Sequence, residues 1–479
     1  MNYAMISRIL GMSLMSEGAL MLLPALAGRF YGERTWPFIV CAFGAALIGF
    51  LCYLVKPKTN DIYAREGFVA VGLVWLAMSA VGAVPFVISG DIPRYVDAFF
   101  ETVSGFTTTG ASILNNVEGL SKAGLFWRSF THWIGGMGVL VFMMAVLPMS
   151  GDHSMHIMRA EVPGPVVGKL VPRASETARI LYFIYGAFTV AEAILLRIGG
   201  MGWFDAILHA FSTAGTGGFS TKNAGILYFN SKFIETVIPG FLVLFGINFN
   251  LYYLILKKRV KAALMSEELH VYFGIIIVSV VAITAGIVGI YGSLGDSIHK
   301  AFFYTMSLLT TAGFTTWDYT AWPYYIHVIV IILMFIGGCA GSTGGGLKVS
   351  RIMLLIKNSV VEIQKMISPR RVKKVRMDGK CVDDGVLKTV SSFFFLYLFI
   401  LFICTFAISF DGYDFSTNFS ASLSCISNIG PGLSAVGPLG NFSIFSTLSK
   451  IVMSFTMLLG RLEIYPVIIL FSTIFTRKK

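Results

Sequence analysis

Charged residues are scarce in this chain, because Asp, Glu, Lys and Arg make up only 13% of its 479 residues. Soluble domains carry about 25%, so the composition excludes an ordinary soluble protein. Hydrophobic residues reach 56%, and the mean hydropathy is +0.76. These values indicate an integral membrane protein, since a spanning helix needs about 20 mostly apolar residues in a row.

The chain also lacks the residue clusters that catalysis requires. Its six cysteines form neither a CxxC pair nor a disulfide framework, and no Ser/His/Asp triad, zinc-ligand spacing or pair of catalytic carboxylates stands out. The stretch GSTGGGLKVS (341–350) approaches a phosphate-binding loop but lacks the required Gly-Lys-Ser/Thr, and no strand precedes it. We therefore expect no enzyme and no organic cofactor. The alternative of another class, a polytopic membrane enzyme, would need acidic or histidine clusters at a membrane boundary.

Apolar windows recur from one end of the chain to the other and predict ten spans. They lie near residues 5–28, 36–55, 67–89, 122–147, 176–198, 233–256, 270–292, 325–356, 389–410 and 447–474. The first window resembles a signal peptide, but Glu17 interrupts its apolar run and another span follows closely, so we expect a retained helix.

The net charge of +12 is concentrated in the loops between the spans, which argues against nucleic acid as its partner. The basic loops are 55–66, 148–175, 257–262 and 368–376, and the tail is 476–479. Basic loops favour the cytoplasmic side of a membrane, so both termini are expected there. A basic loop such as 368–376 is either a solvated surface or a docking surface for a cytosolic partner or acidic lipid.

Four windows of 14 residues repeat one pattern and end on a glycine. They are DAFFETVSGFTTTG (97–110), DAILHAFSTAGTGG (205–218), KAFFYTMSLLTTAG (300–313) and TNFSASLSCISNIG (417–430). Each is flanked by two spans and is too short to cross a bilayer itself. The unit is therefore span, short re-entrant helix, glycine turn, span. Non-helical backbone at this depth must be buried or must line a water-filled path, which four turns meeting on one axis would provide.

These turns have the composition of an ion filter. Glycine lets the backbone approach an ion closely, carbonyl oxygens can replace the water shell of a cation, and each short helix directs its negative C-terminal end at the same place. No carboxylate lies in the turns, which favours a monovalent ion. The predicted filter residues are Thr108, Thr109, Gly110, Thr216, Gly217, Gly218, Thr311, Ala312, Gly313, Asn428, Ile429 and Gly430. Side-chain hydrogen bonds of the threonines and Asn428 are expected to hold the turns; turns that merely let helices pack are the alternative.

The chain resembles the Trk/Ktr/HKT superfamily of potassium transporters, and within it the bacterial TrkH/TrkG branch. The resemblance spans essentially the whole sequence. It rests on SGFTTTGASIL (104–114), FSTAGTGGFST (211–221), TTAGFTT (310–316), SNIGPGL (427–433), FIGGCAGSTGGGLKVSRI (335–352) and GRLE (460–463). The fourth turn, NIGPGL, departs from the GF pattern of the others, which leaves its filter register open.

The resemblance implies an all-α membrane protein with four span–pore helix–span repeats around a central pore and two additional N-terminal helices. The corresponding boundaries are 1–60 for the N-terminal helices and 61–150, 151–260, 261–365 and 366–479 for the repeats. It also implies a homodimer in the bacterial inner membrane, with a pore in each protomer, and a cytosolic regulatory ring of nucleotide-binding TrkA subunits. Glycine at all four filter positions implies a preference for K⁺.

Two features are candidates for a gate. The run GGCAGSTGGG (337–346) cannot be helical throughout, since each glycine costs about 1 kcal/mol relative to alanine, and the resemblance implies an intramembrane loop below the filter. Arg461 lies midway along the last span, where charge is costly and usually functional; we expect it in the pore, contacting this loop. Close helix packing and a structural buried arginine are the alternatives. The candidate gate residues are Gly337, Gly338, Gly341, Ser342, Thr343, Gly344, Gly345, Gly346, Lys348 and Arg461.

The sequence thus predicts potassium uptake through a gated, channel-like subunit. A symporter that couples K⁺ to H⁺ or Na⁺ stays open as an alternative, because sequence does not separate it from a channel. A transporter of organic solutes would leave the four turns unexplained.

Overall fold

The computed structural model describes residues 1–57, 63–138, 174–368 and 373–475. Within these ranges the regular secondary structure is helical apart from one small hairpin of β1 (Arg376–Met377) and β2 (Lys380–Cys381), which pair antiparallel. The basic tail 476–479 and most of the predicted loop 148–175 lie outside the described residues.

Three helices precede the repeats: α1 (Tyr3–Leu20), α2 (Leu22–Phe30) and α3 (Trp36–Tyr53). The first and third pack closely through glycines. A Cβ atom on Gly11 would lie 2.5 Å from the carbonyl oxygen of Gly49, and one on Gly49 would lie 2.6 Å from that of Gly11. Small residues let two membrane helices approach in this way.

The four repeats share one order of elements. Repeat 1 has α4 (Ala64–Ser89), α5 (Tyr95–Phe106) and α6 (Lys122–Gly136). Repeat 2 has α7 (Ala174–Ile198), α8 (Trp203–Ala214), α9 (Lys232–Gly246) and α10 (Phe249–Leu256), followed by the short α11 (Val260–Leu264). Repeat 3 has α12 (Glu267–Tyr291), α13 (Leu294–Leu309), α14 (Tyr324–Ile336) and α15 (Val349–Ile367). Repeat 4 has α16 (Asp384–Ile408), α17 (Phe415–Ser427), α18 (Thr447–Arg461) and α19 (Tyr465–Phe475).

The repeats close into a ring, because the second helix of each packs against the short helix of the next. Thus α6 contacts α8, α9 contacts α13, α14 contacts α17, and α18 returns to contact α5. Repeats 1 and 3 consequently lie opposite each other, as do repeats 2 and 4. The short helices α5, α8, α13 and α17 are pore helices, surrounded by this ring and buried over most of their length.

Among the described residues, six segments are long and apolar enough to span a membrane: Tyr3–Phe30, Trp36–Tyr53, Arg65–Ser89, Ala178–Ile198, Glu267–Tyr291 and Asp384–Asp411. They are the N-terminal pair and the first helix of each repeat. The prediction of continuous spans over 233–256 and 447–474 is wrong, whereas the span predicted over 325–356 is interrupted at its run of glycines, as expected. The chain bends by 84° between α9 and α10, leaves the helix over 337–348, and breaks again at 462–464. The helix predicted over 122–147 ends at Gly136, and residues beyond 138 lie outside the described part.

The breaks occur where a pore helix ends against a second helix. A Cβ atom on Gly135 would lie 1.8 Å from the carbonyl oxygen of Phe106, and one on Gly460 would lie 2.1 Å from that of Ile426. In repeats 1 and 4, backbone at the end of the pore helix is thus in direct contact with the second helix of the same repeat. Hydropathy does not register such breaks, because the residues on both sides of each remain apolar.

Candidate functional site

All four pore helices end in the same hydrogen-bonded turn. An amide just past the end of each helix donates to the carbonyl oxygen of a serine five residues earlier, as in the Schellman motif. The donor and acceptor pairs are Thr109 to Ser104 (2.9 Å), Gly217 to Ser212 (2.8 Å), Ala312 to Ser307 (2.8 Å) and Ile429 to Ser424 (3.0 Å). The four serines occupy the same offset in the four sequence windows. Sequence reasoning missed them, although that shared offset was visible.

Each turn begins with a residue that is not glycine in the left-handed region. The φ angles are 56° for Thr108, 53° for Thr216, 60° for Thr311 and 56° for Asn428. Asparagine tolerates this conformation, but a β-branched threonine there is a genuine outlier. Strain of this kind costs on the order of 1–3 kcal/mol and is found mainly at functional sites. Its occurrence at four matched positions marks the turns as one site.

The glycine two residues later brings each turn against its neighbour. Gly110, Gly218, Gly313 and Gly430 have φ angles of 76°, 76°, 72° and 105°. A Cβ atom on the first three would lie 1.9 Å from the carbonyl oxygens of Gly217, Ala312 and Ile429, in that order; one on Gly430 would lie 3.0 Å from that of Thr109. The sequence of contacts runs from turn 1 to 2, 3, 4 and back to 1, so the twelve predicted filter residues form one closed ring.

One cavity of about 200 Å³ is lined by all four of these glycines. Its wall consists largely of backbone and small polar residues from the stretches that follow the turns. Arg128 and Lys222 are its basic members, and neither Asp nor Glu is among its described lining residues. A cation entering this cavity therefore meets carbonyl oxygens rather than carboxylates.

Side chains connect the turns to one another and to the helices behind them. Asn428 donates to the hydroxyl of Thr109 (2.9 Å) and to the carbonyl oxygen of Met457 (3.0 Å). The hydroxyl of Thr216 donates to its neighbour Gly215 (2.6 Å). Thr108 differs from the expectation, because its buried hydroxyl has no hydrogen-bond partner in the described structure. The side chain of Asn428 thus joins turn 4 to turn 1.

A buried ion pair supports turns 1 and 2 from behind, and sequence reasoning missed it. Arg128 Nε lies 2.6 Å from Glu101 Oε1, with side-chain exposures of 4% and 0%. Arg128 also donates to the carbonyl oxygen of Ser220 (3.0 Å), and Glu101 accepts from the amide of Ile113 (3.0 Å). The pair thereby fixes the backbone that follows both turns. Arg128 and Glu101 are 27 residues apart in the sequence, so no local sequence pattern indicates that they pair.

The glycine-rich segment, which we define as residues 337–348, lies against the pore-helix ends of repeats 3 and 4. The amide of Gly345 donates to the hydroxyl of Thr311 (2.6 Å), and the amide of Gly346 donates to the carbonyl oxygen of Ser427 (2.9 Å). On its other side, the amide of Thr343 donates to the carbonyl oxygen of Phe245 (3.4 Å). Small residues are needed here, because a Cβ atom on Gly345 would lie 2.1 Å from the Ser427 oxygen.

Within this segment, the remaining predicted residues shape the loop. Gly337, Gly341 and Gly346 have φ angles of 77°, 68° and 74°, which suit only glycine well. The hydroxyl of Ser342 donates to the carbonyl oxygen of Cys339 (2.6 Å). Lys348 is buried, and its ammonium group donates to the carbonyl oxygen of Gly344. Gly338 packs against Ser342 and the backbone of Gly246.

Arg461 reaches from repeat 4 to repeats 1 and 3 at once. Its guanidinium donates to the carbonyl oxygen of Thr343 (2.8 Å) in the glycine-rich segment and to those of Gly135 (2.6 Å) and Gly136 (2.7 Å) at the end of α6. Repeats 1 and 3 are opposite members of the ring, so a side chain that contacts both lies close to its axis. Two residues further on, Glu463 pairs with Arg351, just beyond the segment.

These observations define a class of protein. It is a polytopic helical membrane protein with four span–pore helix–span repeats around a central pore. The carbonyl-rich turns can coordinate a dehydrated monovalent cation, and the arginine and the glycine-rich segment lie on the opposite side of the turns from the glycine-lined cavity.

Comparison with known proteins identifies the family. The chain matches the family described as "TrkH: Cation transport protein" over residues 38–273 and 269–479. It is 38% identical to the Trk system potassium uptake protein TrkH of Salmonella typhimurium, with complete coverage of both chains. It is also 38% identical to the Trk system potassium uptake protein TrkG of Escherichia coli, over 95% of each chain. The chain therefore belongs to the TrkH family, which confirms the resemblance found in its motifs.

A solved structure shares the whole fold. The crystal structure of the potassium transporter TrkH from Vibrio parahaemolyticus aligns with a TM-score of 0.89 and 34% identity, covering 100% of both chains. The predicted fold class, an all-α polytopic protein of four repeats with two preceding helical segments, is confirmed.

Proposed function

We propose that this chain is the ion-translocating subunit of a bacterial potassium uptake system and works as a gated, channel-like pore. The observation that carries the proposal is the ring in which each filter glycine contacts the carbonyl-bearing backbone of the next turn. Such a ring presents oxygen dipoles in place of water, as potassium-selective filters do. The names of the relatives, potassium uptake proteins of Trk systems, support K⁺ as the cargo.

Potassium moves inward, down its electrochemical gradient, from the glycine-lined cavity through the four turns. Beyond the turns it meets the glycine-rich segment and the guanidinium of Arg461. A positive charge near the axis raises the energy of a cation beside it, and the effect is strong where the surroundings exclude water. The segment and Arg461 together act as the gate, and the buried side chain of Lys348 belongs to this segment.

The gate faces the cytoplasm in this proposal, and both termini lie on that side. Lys257, Lys258 and Arg259 are exposed beyond α10, and Lys373 and Lys374 are exposed before the β1–β2 hairpin. The amide of Glu267, at the start of α12, donates to Asp378 in the hairpin (2.8 Å), so the two basic regions belong to the same end of the molecule. Positive loops of this kind favour the cytoplasmic side.

A cytosolic nucleotide-binding ring of the TrkA type binds this basic surface and controls the gate, and the subunit forms a homodimer in the inner membrane. Neutralising Lys257, Lys258 and Lys261 in one variant, and Lys373 and Lys374 in another, should weaken ring binding measured by co-purification at fixed salt. Undiminished binding in both variants would place the ring elsewhere.

Flux in reconstituted vesicles tests the translocation itself. Purified protein in liposomes should take up K⁺ or Rb⁺ along an imposed potassium gradient when proton and sodium gradients are both absent. Liposomes with the Gly313→Ala variant provide the matched inactive control. Accumulation of K⁺ above its electrochemical equilibrium, driven by an imposed H⁺ or Na⁺ gradient, would establish the symporter instead.

A further inference from the structure

Two adjacent glutamates begin α12, and the second holds the glycine-rich segment. Glu268 is 5% exposed. Its Oε1 atom accepts hydrogen bonds from the amide of Ala340 (2.7 Å) and from the amide of Ser350 (3.1 Å). One carboxylate oxygen thus joins two points of the chain that are ten residues apart, one within the segment and one just after it.

The residues between these two points make the contacts at the filter. They include Thr343, which accepts from Arg461, and Gly345 and Gly346, which donate to pore-helix ends. The glycines of this stretch offer no side chains as anchors, so at Gly345 and Gly346 its position depends on backbone hydrogen bonds. Bonds to a charged acceptor are about twice as strong as neutral ones. Glu268 therefore closes the base of a loop whose tip touches the turns.

The neighbouring Glu267 connects the same point to the surface. Its carboxylate pairs with Lys357 of α15, and Lys357 also donates to the carbonyl oxygen of Arg376 in the hairpin (2.9 Å). The amide of Glu267 donates to Asp378, in the turn of that hairpin. Both glutamates lie in the first turn of α12, where the helix dipole favours negative charge.

We propose that Glu268 is a positioning residue that fixes the glycine-rich segment against the filter, and that Glu267 and Lys357 link this attachment to the β1–β2 hairpin. As a statement about the gate, this rests on the proposed function. A partner that displaces the hairpin moves α15 and the start of α12, because both are bonded to the hairpin. Glu268 transmits this movement to Ala340 and Ser350, which flank the residues that contact the filter.

The thiol of Cys339 provides a probe that does not depend on transport. It is buried at 0% exposure, next to Ala340. The test uses the full chain with Cys41, Cys52, Cys381, Cys404 and Cys425 replaced by serine, and measures the rate at which a membrane-permeant maleimide labels Cys339. Glu268→Met removes the acceptor at similar size and should raise this rate about tenfold or more, since two bonds to a charge are lost. Glu268→Gln keeps an oxygen acceptor and should restore a slow rate.

Glu66 supplies the matched control. It is also a buried glutamate in the first turn of a long span, and it accepts from the amides of Asn2 (2.6 Å) and Tyr63 (3.0 Å). Glu66→Met should leave the labelling of Cys339 unchanged. Lys357→Met, which cuts the connection to the hairpin, should raise labelling less than Glu268→Met does; a wild-type rate would disprove the link. If Glu268→Met does not fold, Glu268→Ala takes its place.

Flux measured on the same variants separates this proposal from the proposed function. Faster labelling with higher K⁺ flux in Glu268→Met supports both. Faster labelling with unchanged flux supports the positioning role and contradicts a gate in the segment. Unchanged labelling in both Glu268→Met and Glu268→Ala overturns the positioning role, whatever the flux.

Discussion

The side-chain amide of Asn428 donates a hydrogen bond of 2.9 Å to the hydroxyl of Thr109. These residues lie in the last and first repeats, which are neighbours in the ring but are not consecutive in the chain. Their bond therefore closes the ring of turns. Asn428 adopts a φ of 56° in the same turn. One residue thus serves two needs, because asparagine tolerates this backbone better than most residues and also carries the donor that reaches Thr109.

Replacing Asn428 by glycine tests the role of this bond in selectivity. Glycine accepts the left-handed backbone without strain but removes both hydrogen bonds of the amide. Each net hydrogen bond contributes roughly 0.5–1.5 kcal/mol, so we expect the ratio of K⁺ to Na⁺ uptake to fall about fivefold or more. Tracer uptake of both ions in liposomes measures it.

Asn418 is a suitable control for this experiment. It lies buried near the start of the same pore helix, and its amide donates to the carbonyl oxygen of Tyr413 (2.8 Å). Asn418→Gly should reduce stability without changing the ion ratio. Equal losses of selectivity in the two variants would mean that any weakening of the pore helix suffices and that the bond to Thr109 has no special part.

Gly313→Ala tests the close approach of the turns. A Cβ atom there would lie 1.9 Å from the carbonyl oxygen of Ile429, well inside contact distance, so the ring must open and K⁺ uptake should be abolished. Gly292→Ala is the matched control, because its φ of 67° is close to the 72° of Gly313 but nothing lies within 4 Å of the added atom. Both substitutions incur about 1 kcal/mol of backbone strain, so loss of uptake in both would trace to strain alone.

The four turns are readable in sequence because each depends on local composition. Glycine recurs at a fixed offset after a hydroxyl-rich stretch, and Gly110 and Gly313 are found this way without any structure. Even the fourth turn, whose flanking residues diverge, keeps the offset between Asn428 and Gly430. The strain at Thr108, in contrast, has no sequence signal, since nothing in a threonine indicates a positive φ.

The break in the second helix of repeat 3 follows from its run of glycines, but the breaks in repeats 2 and 4 are invisible for a different reason. A span predicted from hydropathy averages over a window, and Glu463 and Ile464 stand between apolar stretches that together look like one helix. Their φ angles are 57° and 67°, and at this point Glu463 pairs with Arg351 of another repeat. Contacts between residues so far apart in sequence form only in the assembled ring, so a local sequence pattern cannot indicate them.

The buried pair of Arg128 and Glu101 should show strong coupling. Arg128→Met leaves the Glu101 carboxylate buried without its cation, which typically costs about 3–5 kcal/mol. The double variant Arg128→Met with Glu101→Gln removes the stranded charge and keeps an acceptor for the amide of Ile113, so most of the loss should be recovered. Thermal unfolding midpoints in detergent measure both.

An exposed ion pair gives the comparison. Lys232 lies 2.7 Å from Asp296, with side-chain exposures of 79% and 43%, and surface pairs of this kind contribute little. Lys232→Met should leave the unfolding midpoint unchanged within error. If Arg128→Met also leaves it unchanged, then the backbone behind turns 1 and 2 is held by packing and the ion pair is dispensable.

Arg461→Ala should raise potassium flux, and Arg461→Lys separates the two ways in which the arginine can act. A unit charge about 8 Å from an ion adds roughly 2 kcal/mol to its energy at an effective dielectric constant of about 20, so removing the charge should raise flux at least about tenfold. Lysine keeps the charge but cannot reach the carbonyl oxygens of Thr343, Gly135 and Gly136 together. Low flux in the lysine variant identifies the charge as the barrier. High flux in both variants means that the hydrogen bonds, by holding the glycine-rich segment across the ring, keep the pore closed. Wild-type flux in a correctly folded alanine variant removes Arg461 from the gate altogether.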